Sequence, residues 1–179
     1  MIINIKNKNC VEIAAKLIEE GKIIIYPTDT LYGFGVDATN RVAINNLNLL
    51  KKREQMYSII LNSIFDIDNF AYINEQKLDY INKILPGAYT VILKSRKSNL
   101  SKLVNMNSGT IGIRIPKSNF ILDVVKKIMK PIVTTSVNIH GQKSIENVNE
   151  MEKEFPEINI FKENLVSNSS GSTIIDLTK

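Results

Sequence analysis

Residues 110–115 place an arginine among small side chains on one face of what reads as a strand. Side chains alternate between the two faces of a strand, so Thr110, Gly112 and Arg114 point one way and the intervening isoleucines point the other way. The isoleucine face belongs in a core, whereas the other face offers a hydroxyl, an open position and a guanidinium. A guanidinium can bind a planar carboxylate through two parallel hydrogen bonds. A structural arginine that closes a surface ion pair explains the same pattern equally well.

Small polar side chains also recur along residues 132–138. If this segment is extended, Thr134, Ser136 and Asn138 share one face and can donate to phosphate or carboxylate oxygens without adding bulk. Hydroxyls near the end of a strand are often only turn formers, so the pattern by itself leaves both interpretations open.

The string Tyr-Pro-Thr-Asp-Thr-Leu-Tyr-Gly-Phe-Gly at residues 26–35 follows a short apolar run. Proline does not extend a strand's hydrogen-bond ladder, so we expect the strand to stop there and to deliver Thr28 into a loop. Two glycines open that loop and would let the backbone approach a ligand closely. Tyr32 in the same loop is as well explained by ordinary half-buried packing as by ligand binding.

These segments need a scaffold, and the hydrophobic pattern predicts an α/β domain because apolar stretches alternate with helical periodicity. Helices are predicted around residues 11–18, 41–50 and 75–84, with a fourth capped by Ser118 and a short one capped by Ser144. Strands are predicted at residues 1–5, 22–26, 57–61, 89–93, 110–115, 132–135, 158–161 and 173–177.

Composition limits the classes of protein that this chain can represent. Its 179 residues predict a single domain over 1–179, and its net charge of +5 favours anionic partners. The lone Cys10 excludes an internal disulfide framework and indicates a reducing compartment, so we expect the cytoplasm. No apolar run approaches the roughly 20 residues of a membrane helix. With one histidine, His140, we expect no metal site, and no nucleophile–base spacing suggests covalent catalysis.

Six sequence elements together resemble the YrdC-like family of threonylcarbamoyl-adenylate synthases. The first is the string at residues 26–35, and the others follow in the family's order: Lys51-Lys52-Arg53, Pro86-Gly87-Ala88-Tyr89-Thr90, the 110–116 strand, the 134–141 block and Ser172-Thr173-Ile174-Ile175-Asp176. The resemblance spans nearly the whole chain. It implies one α/β domain with a twisted mixed sheet, flanking helices and a concave ligand cleft.

The resemblance also implies an activity. Short single-domain members are nucleotidyltransferases that form threonylcarbamoyl-AMP and pyrophosphate from L-threonine, bicarbonate and ATP with Mg²⁺. In the family the product passes to a separate transferase that completes N6-threonylcarbamoyladenosine in tRNA, so a transferase partner is expected. Direct contact between this chain and tRNA stays open.

Roles for individual residues follow only from the resemblance. It assigns L-threonine binding to Thr28, Tyr32, Arg114, Thr134 and Ser172, and it assigns ATP binding to Lys51, Arg53, Thr110, Ser136, Asn138 and Ser144. Among these, Lys51 and Arg53 would carry the catalytic charge stabilisation, although basic residues are favoured at any helix C-terminus. Lys52, between them, is expected to be solvated.

The sequence departs from the family pattern in two places. Glu54 stands where the family usually has a proline, which puts a negative charge beside the expected phosphate contacts. The sequence reaches Lys179 without the family's further nucleotide-contacting arginine, so either ATP binding is weaker or another basic residue substitutes.

Two other classes of function stay open at this stage. A non-catalytic RNA-binding or ribosome-assembly factor of the same fold fits the net charge. A module that transfers a carbamoyl group to a protein partner also fits the fold. Only the enzyme interpretation requires pyrophosphate release that depends on both L-threonine and bicarbonate.

Overall fold

A computed structural model gives the structure of residues 1–163 and 171–179. The strands in these ranges are β1 (Ile2–Asn4), β2 (Ile24–Tyr26), β3 (Gly33–Asp37), β4 (Ser58–Ile60), β5 (Tyr89–Lys94), β6 (Thr110–Arg114), β7 (Ile132–Ser136), β8 (Asn159–Lys162) and β9 (Thr173–Asp176). The helices are α1 (Cys10–Glu19), α2 (Arg41–Lys51), α3 (Glu75–Ile84), α4 (Asn119–Ile128) and α5 (Val148–Glu154), and a 3-10 helix spans Ile64–Asn69.

Within the described ranges, the strands form one mixed sheet in the order β1-β8-β2-β3-β7-β4-β6-β5-β9. The central strand β3 runs antiparallel to both β2 and β7, while β4 pairs parallel with β6. The predicted α/β fold with a mixed sheet and flanking helices is confirmed. No helix in these ranges has both the length and the apolar character to cross a bilayer.

Helices pack on both faces of the sheet and create two hydrophobic layers. Helices α1 and α4 bury one face, where Ile24, Tyr26 and Ile132 lie with Phe161. The opposite layer includes the residues that alternate with these, such as Ile25 and Val133, together with side chains of α2 and α3. This alternation is the two-residue period of a strand with both faces covered.

The alternation predicted for β6 is confirmed by the same layers. Ile111 and Ile113 lie in the core beneath α2 and α3, and Arg114 therefore points to the face that α1 and α4 cover elsewhere. Gly112 is not an open position, because a Cβ there would lie 2.6 Å from the Ser58 hydroxyl oxygen on the neighbouring strand β4.

The two glycines of the 26–35 string lie in a central strand, so the prediction of a glycine-opened loop was wrong. Gly33 pairs with Tyr26 on β2, and Gly35 pairs with Thr134 on β7. A Cβ at Gly35 would lie 2.6 Å from Cε1 of Tyr26. The Tyr26 ring therefore crosses β3 over a surface without side chains, and its hydroxyl reaches Thr134 on the far side, at 2.7 Å.

Two predicted helix caps also differ from the structure. Ser118 occupies the N-cap position of α4, but its hydroxyl donates to the carbonyl oxygen of Pro27 at 3.2 Å and makes no capping hydrogen bond. Ser144 caps no helix, because α5 begins at Val148 and its N-cap is Asn147. Asn147 is the better cap since its side-chain oxygen accepts from backbone N–H groups of the first turn.

The packing of Tyr26 against β3 predicts a specific sensitivity. We expect Gly35→Ala to lower the free energy of unfolding by about 1–3 kcal/mol, because the added methyl overlaps the buried Tyr26 ring. Gly33→Ala serves as the matched variant and should cost less, since its Cβ would meet its nearest atom, the Thr134 hydroxyl, at 3.3 Å. Urea denaturation of both variants measures the difference. Equal stabilities for wild type and Gly35→Ala would contradict this packing.

Candidate functional site

A cavity of about 310 Å³ lies on the face of the sheet that α1 and α4 cover elsewhere. Seven residues predicted from the sequence line it: Thr28, Tyr32, Arg114, Thr134, Ser136, Ser144 and Ser172. Four others do not line it: Lys51, Arg53, Thr110 and Asn138. Thr110 lies at the start of β6, where its hydroxyl is 3.1 Å from that of Ser108.

Arg114, the last residue of β6, brings a buried guanidinium to this cavity, where it is only 8% exposed. One of its terminal nitrogens, Nη2, donates to a carboxylate oxygen of Asp29 and to the hydroxyl of Thr30, each at 3.2 Å. Its Nε has no hydrogen-bond partner among the described residues. Burial lowers the pKa of Arg114, against the opposing effects of Tyr26 and Asp29, yet arginine keeps its charge. Arg114 therefore forms an ion pair, and it also lines the cavity.

Asp29 fixes the arginine and the loop after β2 at the same time. One oxygen pairs with Arg114, and the other accepts the backbone N–H of Lys117 at 2.9 Å. Its side chain is 12% exposed, so screening by water is limited. Sequence reasoning did not single out Asp29. The signal available was an acidic residue between two threonines directly after a buried strand.

The hydroxyl of Thr28 is already engaged within its own loop. It donates to the carbonyl oxygen of Leu31 at 2.7 Å and accepts the N–H of Thr30 at 3.1 Å. Its oxygen also lies 3.1 Å from the hydroxyl oxygen of Thr30. Because a hydroxyl carries one hydrogen, Thr28 has none left to donate to a ligand. Tyr32 likewise donates to the carbonyl oxygen of Glu163 at 3.0 Å, and burial raises the pKa of its phenol.

Residues from β4, β5 and the closing motif complete the wall of the cavity. The hydroxyls of Thr90 and Ser172 are 2.7 Å apart, which ties the closing motif to β5. Ser58 lines the cavity from β4, directly opposite Thr134 in the register. No role was predicted for Ser58 or Thr90, because a serine and a threonine on neighbouring strands carry no distinguishing local pattern.

Lys51, at the end of α2, is 3% exposed and directs its ammonium group into a loop. Its Nζ donates to the carbonyl oxygens of Ser136 and Asn138, at 2.8 and 2.9 Å, and to the side-chain oxygen of Asn138 at 2.8 Å. These three acceptors match the three N–H groups of an ammonium. Nζ also lies 5.5 Å from the centre of the Phe34 ring. The structure thus places Lys51 behind the cavity wall.

The loop that Lys51 holds is tightly bonded within itself. The hydroxyl of Ser136 donates to the Asn138 side-chain oxygen at 2.9 Å, and the Asn138 amide donates to the carbonyl oxygen of Gln142 at 2.8 Å. The N–H of Ile145 donates to the carbonyl oxygen of Val137 at 2.8 Å. These bonds place Ser136 and Ser144 at the cavity from the two ends of the loop, residues 136–145.

Two neighbours of Lys51 are solvent-facing. Lys52 is exposed, as predicted, and has left-handed backbone geometry with φ 53°. Arg53 is exposed too, and its Nη1 lies 3.1 Å from Nδ1 of His140 in the 136–145 loop. Burial, and secondarily the charge of Arg53, lower the pKa of Lys51 to about 8.

The described side chains include no group of three or more His, Cys, Asp or Glu residues arranged to hold a metal ion. The chemistry available at the cavity is therefore that of one guanidinium, several hydroxyls and backbone groups. Such a set suits binding and orientation of anionic or zwitterionic small molecules.

Comparisons with known proteins agree with this geometry. The Sua5/YciO/YrdC family model, described as telomere recombination, matches residues 16–179. A relative from Methanocaldococcus jannaschii is 37% identical over 83% of this chain and 70% of its own length. Threonylcarbamoyl-AMP synthase of Psychromonas ingrahamii is 31% identical over 90% of this chain and 88% of its own. P. abyssi Sua5 complexed with L-threonine superposes with a TM-score of 0.90 at 25% identity; this chain is covered completely but spans only 55% of that protein.

The buried ammonium of Lys51 predicts a pH-dependent stability. Its pKa in the folded protein, about 8, lies below the ordinary value of 10.5, so above pH 8 the folded state loses a proton that the unfolded state retains. Stability rises with pH wherever the unfolded state binds more protons. We therefore expect the free energy of unfolding of wild type, relative to Lys51→Met, to increase from pH 8 to 10. Urea titrations across this range test it, and a constant difference would contradict the assignment.

Proposed function

The chain belongs to the Sua5/YciO/YrdC family, and on that premise we propose that it is a threonylcarbamoyl-AMP synthase. The reaction joins L-threonine, bicarbonate and ATP to give threonylcarbamoyl-AMP, pyrophosphate and water. The observation that carries this proposal is the buried Arg114 guanidinium at a cavity of small hydroxyls, with Nε unpaired among the described residues. Similarity to the Psychromonas ingrahamii synthase and to the threonine-bound P. abyssi structure supports it.

Recognition of the amino acid is proposed to centre on Arg114. Asp29 and Thr30 engage one terminal nitrogen and hold the guanidinium plane, and the rest of the guanidinium would bind the substrate carboxylate. Thr28 lines the same site with its hydroxyl hydrogen engaged by Leu31, so it would bound the pocket without donating to the substrate. Thr134 and Ser172 would complete the contacts from β7 and the closing motif.

The nucleotide is proposed to lie against the 136–145 loop. Ser136 and Ser144 line the cavity there, and the exposed Arg53 guanidinium next to His140 can meet phosphate oxygens. Lys51 would contribute by fixing the loop, because its three N–H groups are already engaged by Ser136 and Asn138. Mg²⁺ would arrive with the phosphates of ATP, since Mg²⁺ is usually held by substrate phosphates with one or two carboxylates.

The proposed reaction asks the protein for positioning and electrostatic stabilisation. The threonine amine combines with bicarbonate to form a carbamate and water, and a carbamate oxygen then attacks the α-phosphorus as pyrophosphate leaves. No protein nucleophile takes part in either step. Holding the reactants in register can supply roughly 7–11 kcal/mol of the barrier reduction. A transferase partner that consumes the product and a location in the cytoplasm belong to the same proposal.

Pyrophosphate release from ATP tests the function directly. We expect release that requires both L-threonine and bicarbonate, with threonylcarbamoyl-AMP identified by mass spectrometry. Release that ignores L-threonine, or preferential use of carbamoyl phosphate, would refute the proposal and favour carbamoyl transfer. RNA binding without any pyrophosphate release would favour the RNA-binding class instead.

Arg114→Lys tests how the amino acid is recognised. Lysine keeps the positive charge beside Asp29 but loses the planar set of guanidinium donors. We therefore expect the KM for L-threonine to rise tenfold or more, roughly the loss of one charge-assisted hydrogen bond. The KM for ATP should change little. Arg96→Lys is the matched control, because Arg96 also pairs with an aspartate, Asp68, at 2.9 Å but lies outside the cavity. Equal increases in both KM values for Arg114→Lys would argue against the role of Arg114.

A further inference from the structure

The hydroxyl of Thr134 lines the cavity and makes a single hydrogen bond to the described part of the chain. Thr134 is 6% exposed, and its Oγ1 accepts from the phenol of Tyr26 at 2.7 Å. Its own hydrogen has no acceptor among the described residues, so it is available to a ligand in the cavity. The orientation of the Thr134 hydroxyl, and hence the direction of its hydrogen, therefore depends on its bond to Tyr26.

Tyr26 itself does not line the cavity. It is fully buried under the α1 and α4 layer, and its phenol bonds to Thr134 alone within the described residues. A phenylalanine at position 26 would fill the same space in the core, because its ring has the same shape as that of tyrosine. A buried hydroxyl costs free energy unless it is hydrogen-bonded, so the phenol of Tyr26 depends on its bond to Thr134.

The direction of the Tyr26–Thr134 bond follows from its chemistry. A phenol is more acidic than an aliphatic hydroxyl and is the better donor of the pair, so the oxygen of Thr134 is the acceptor. The hydrogen of Thr134 is then excluded from the Tyr26 direction and is left for the cavity. In contrast, the hydrogens of Thr28 and Ser136 are consumed by the carbonyl oxygen of Leu31 and the side chain of Asn138.

The sheet makes this arrangement rigid. Gly35 gives the Tyr26 ring its path across β3, and a Cβ at Gly33 would lie 3.3 Å from the Thr134 hydroxyl. Thr134 pairs with Ser58 on β4, and β4 pairs in turn with β6, which ends at Arg114. Thr134 is in register with Gly112 of β6, two residues before Arg114. Two strand spacings and this offset along the strand separate the backbones of Thr134 and Arg114 by about 12 Å. The side chains of Thr134 and Arg114 both line the cavity, so they can contact one small molecule that lies between them.

We propose that Tyr26 is a positioning residue, which fixes the Thr134 hydroxyl as a hydrogen-bond donor to an acceptor oxygen of the amino acid substrate. The inference rests on the proposed function, because that function supplies the substrate. Tyr26 does not touch the substrate and acts only through Thr134. Its removal leaves Thr134 in place but free to rotate, so the substrate loses a preoriented donor.

Tyr26→Phe tests the proposal by removing one oxygen and keeping the ring. We expect the KM for L-threonine to rise roughly 3- to 10-fold, the equivalent of one neutral hydrogen bond, with the KM for ATP within twofold of wild type. The matched control is Tyr57→Phe. Tyr57 is also buried, its phenol donates to the Asn48 side chain at 2.7 Å, and it lies outside the cavity. Tyr57→Phe should lose stability to a similar extent while the KM for L-threonine is unchanged.

A double-mutant cycle separates action through Thr134 from a general effect on the fold. Thr134→Val alone should raise the KM for L-threonine at least as much as Tyr26→Phe does. The double variant should then be no worse than Thr134→Val, because Tyr26 has nothing left to orient. Urea denaturation of each variant establishes that the measured protein is folded.

Two results would overturn the inference. The first is a Tyr26→Phe variant whose KM for L-threonine matches that of Tyr57→Phe, and the second is a cycle in which the two effects multiply. In both cases a wild-type protein that releases pyrophosphate with L-threonine leaves the proposed function intact. A wild-type protein without that release refutes the function and the role of Tyr26 together.

Discussion

The site depends on one steric constraint: a bulky ring must cross a central strand that carries no side chains on that face. Tyr26 starts on β2, lies over the glycines of β3 and bonds to Thr134 on β7. Because β3 is the middle strand of the three, any side chain at Gly35 would push the ring away from Thr134. The same ring fills the layer beneath α1 and α4, so core packing and cavity chemistry share one residue. The glycines of β3 thereby help to determine the position of the Thr134 hydroxyl on the neighbouring strand β7.

Two buried cations hold the loops around this sheet, and each is stabilised differently. Arg114 forms an ion pair with Asp29, whose second oxygen ties the loop after β2 to the backbone of Lys117. Within residues 1–163 and 171–179, the hydrogen-bond partners of Lys51 are three neutral oxygens of the 136–145 loop. Removing a cation from water is costly, so each is retained only where its donors are engaged or where a ligand can engage them. Nε of Arg114 has no partner among the described residues, whereas each of the three N–H groups of Lys51 has an acceptor there.

That difference explains where reasoning from the sequence succeeded and where it did not. Arg114 was placed correctly because alternation along a strand is a local rule with a period of two residues. The contact of Lys51 with phosphate stays a prediction, whereas its position outside the cavity lining is set by a loop more than eighty residues away, which no local pattern reveals. The glycines at 33 and 35 were predicted to open a loop because a proline precedes them and because glycine allows close approach to a ligand. In the structure they lie in β3, where the absence of side chains makes room for the Tyr26 ring. Ser144 was expected to cap a helix, and the nearby Asn147 takes that position.

The sequence by itself determined the α/β class, most helices and strands, and the family, because hydrophobic periodicity and ordered motifs are local and survive without coordinates. It also indicated which polar residues approach strand ends. Only the tertiary structure decided which of them meet at one cavity, that Asp29 pairs with Arg114, and that Lys51 turns into a loop. The direction of each hydrogen bond was also decided only by the tertiary structure. Whether a hydroxyl such as that of Thr28 or Thr134 still has a hydrogen to give depends on partners brought together by folding, and residue type alone does not contain that information.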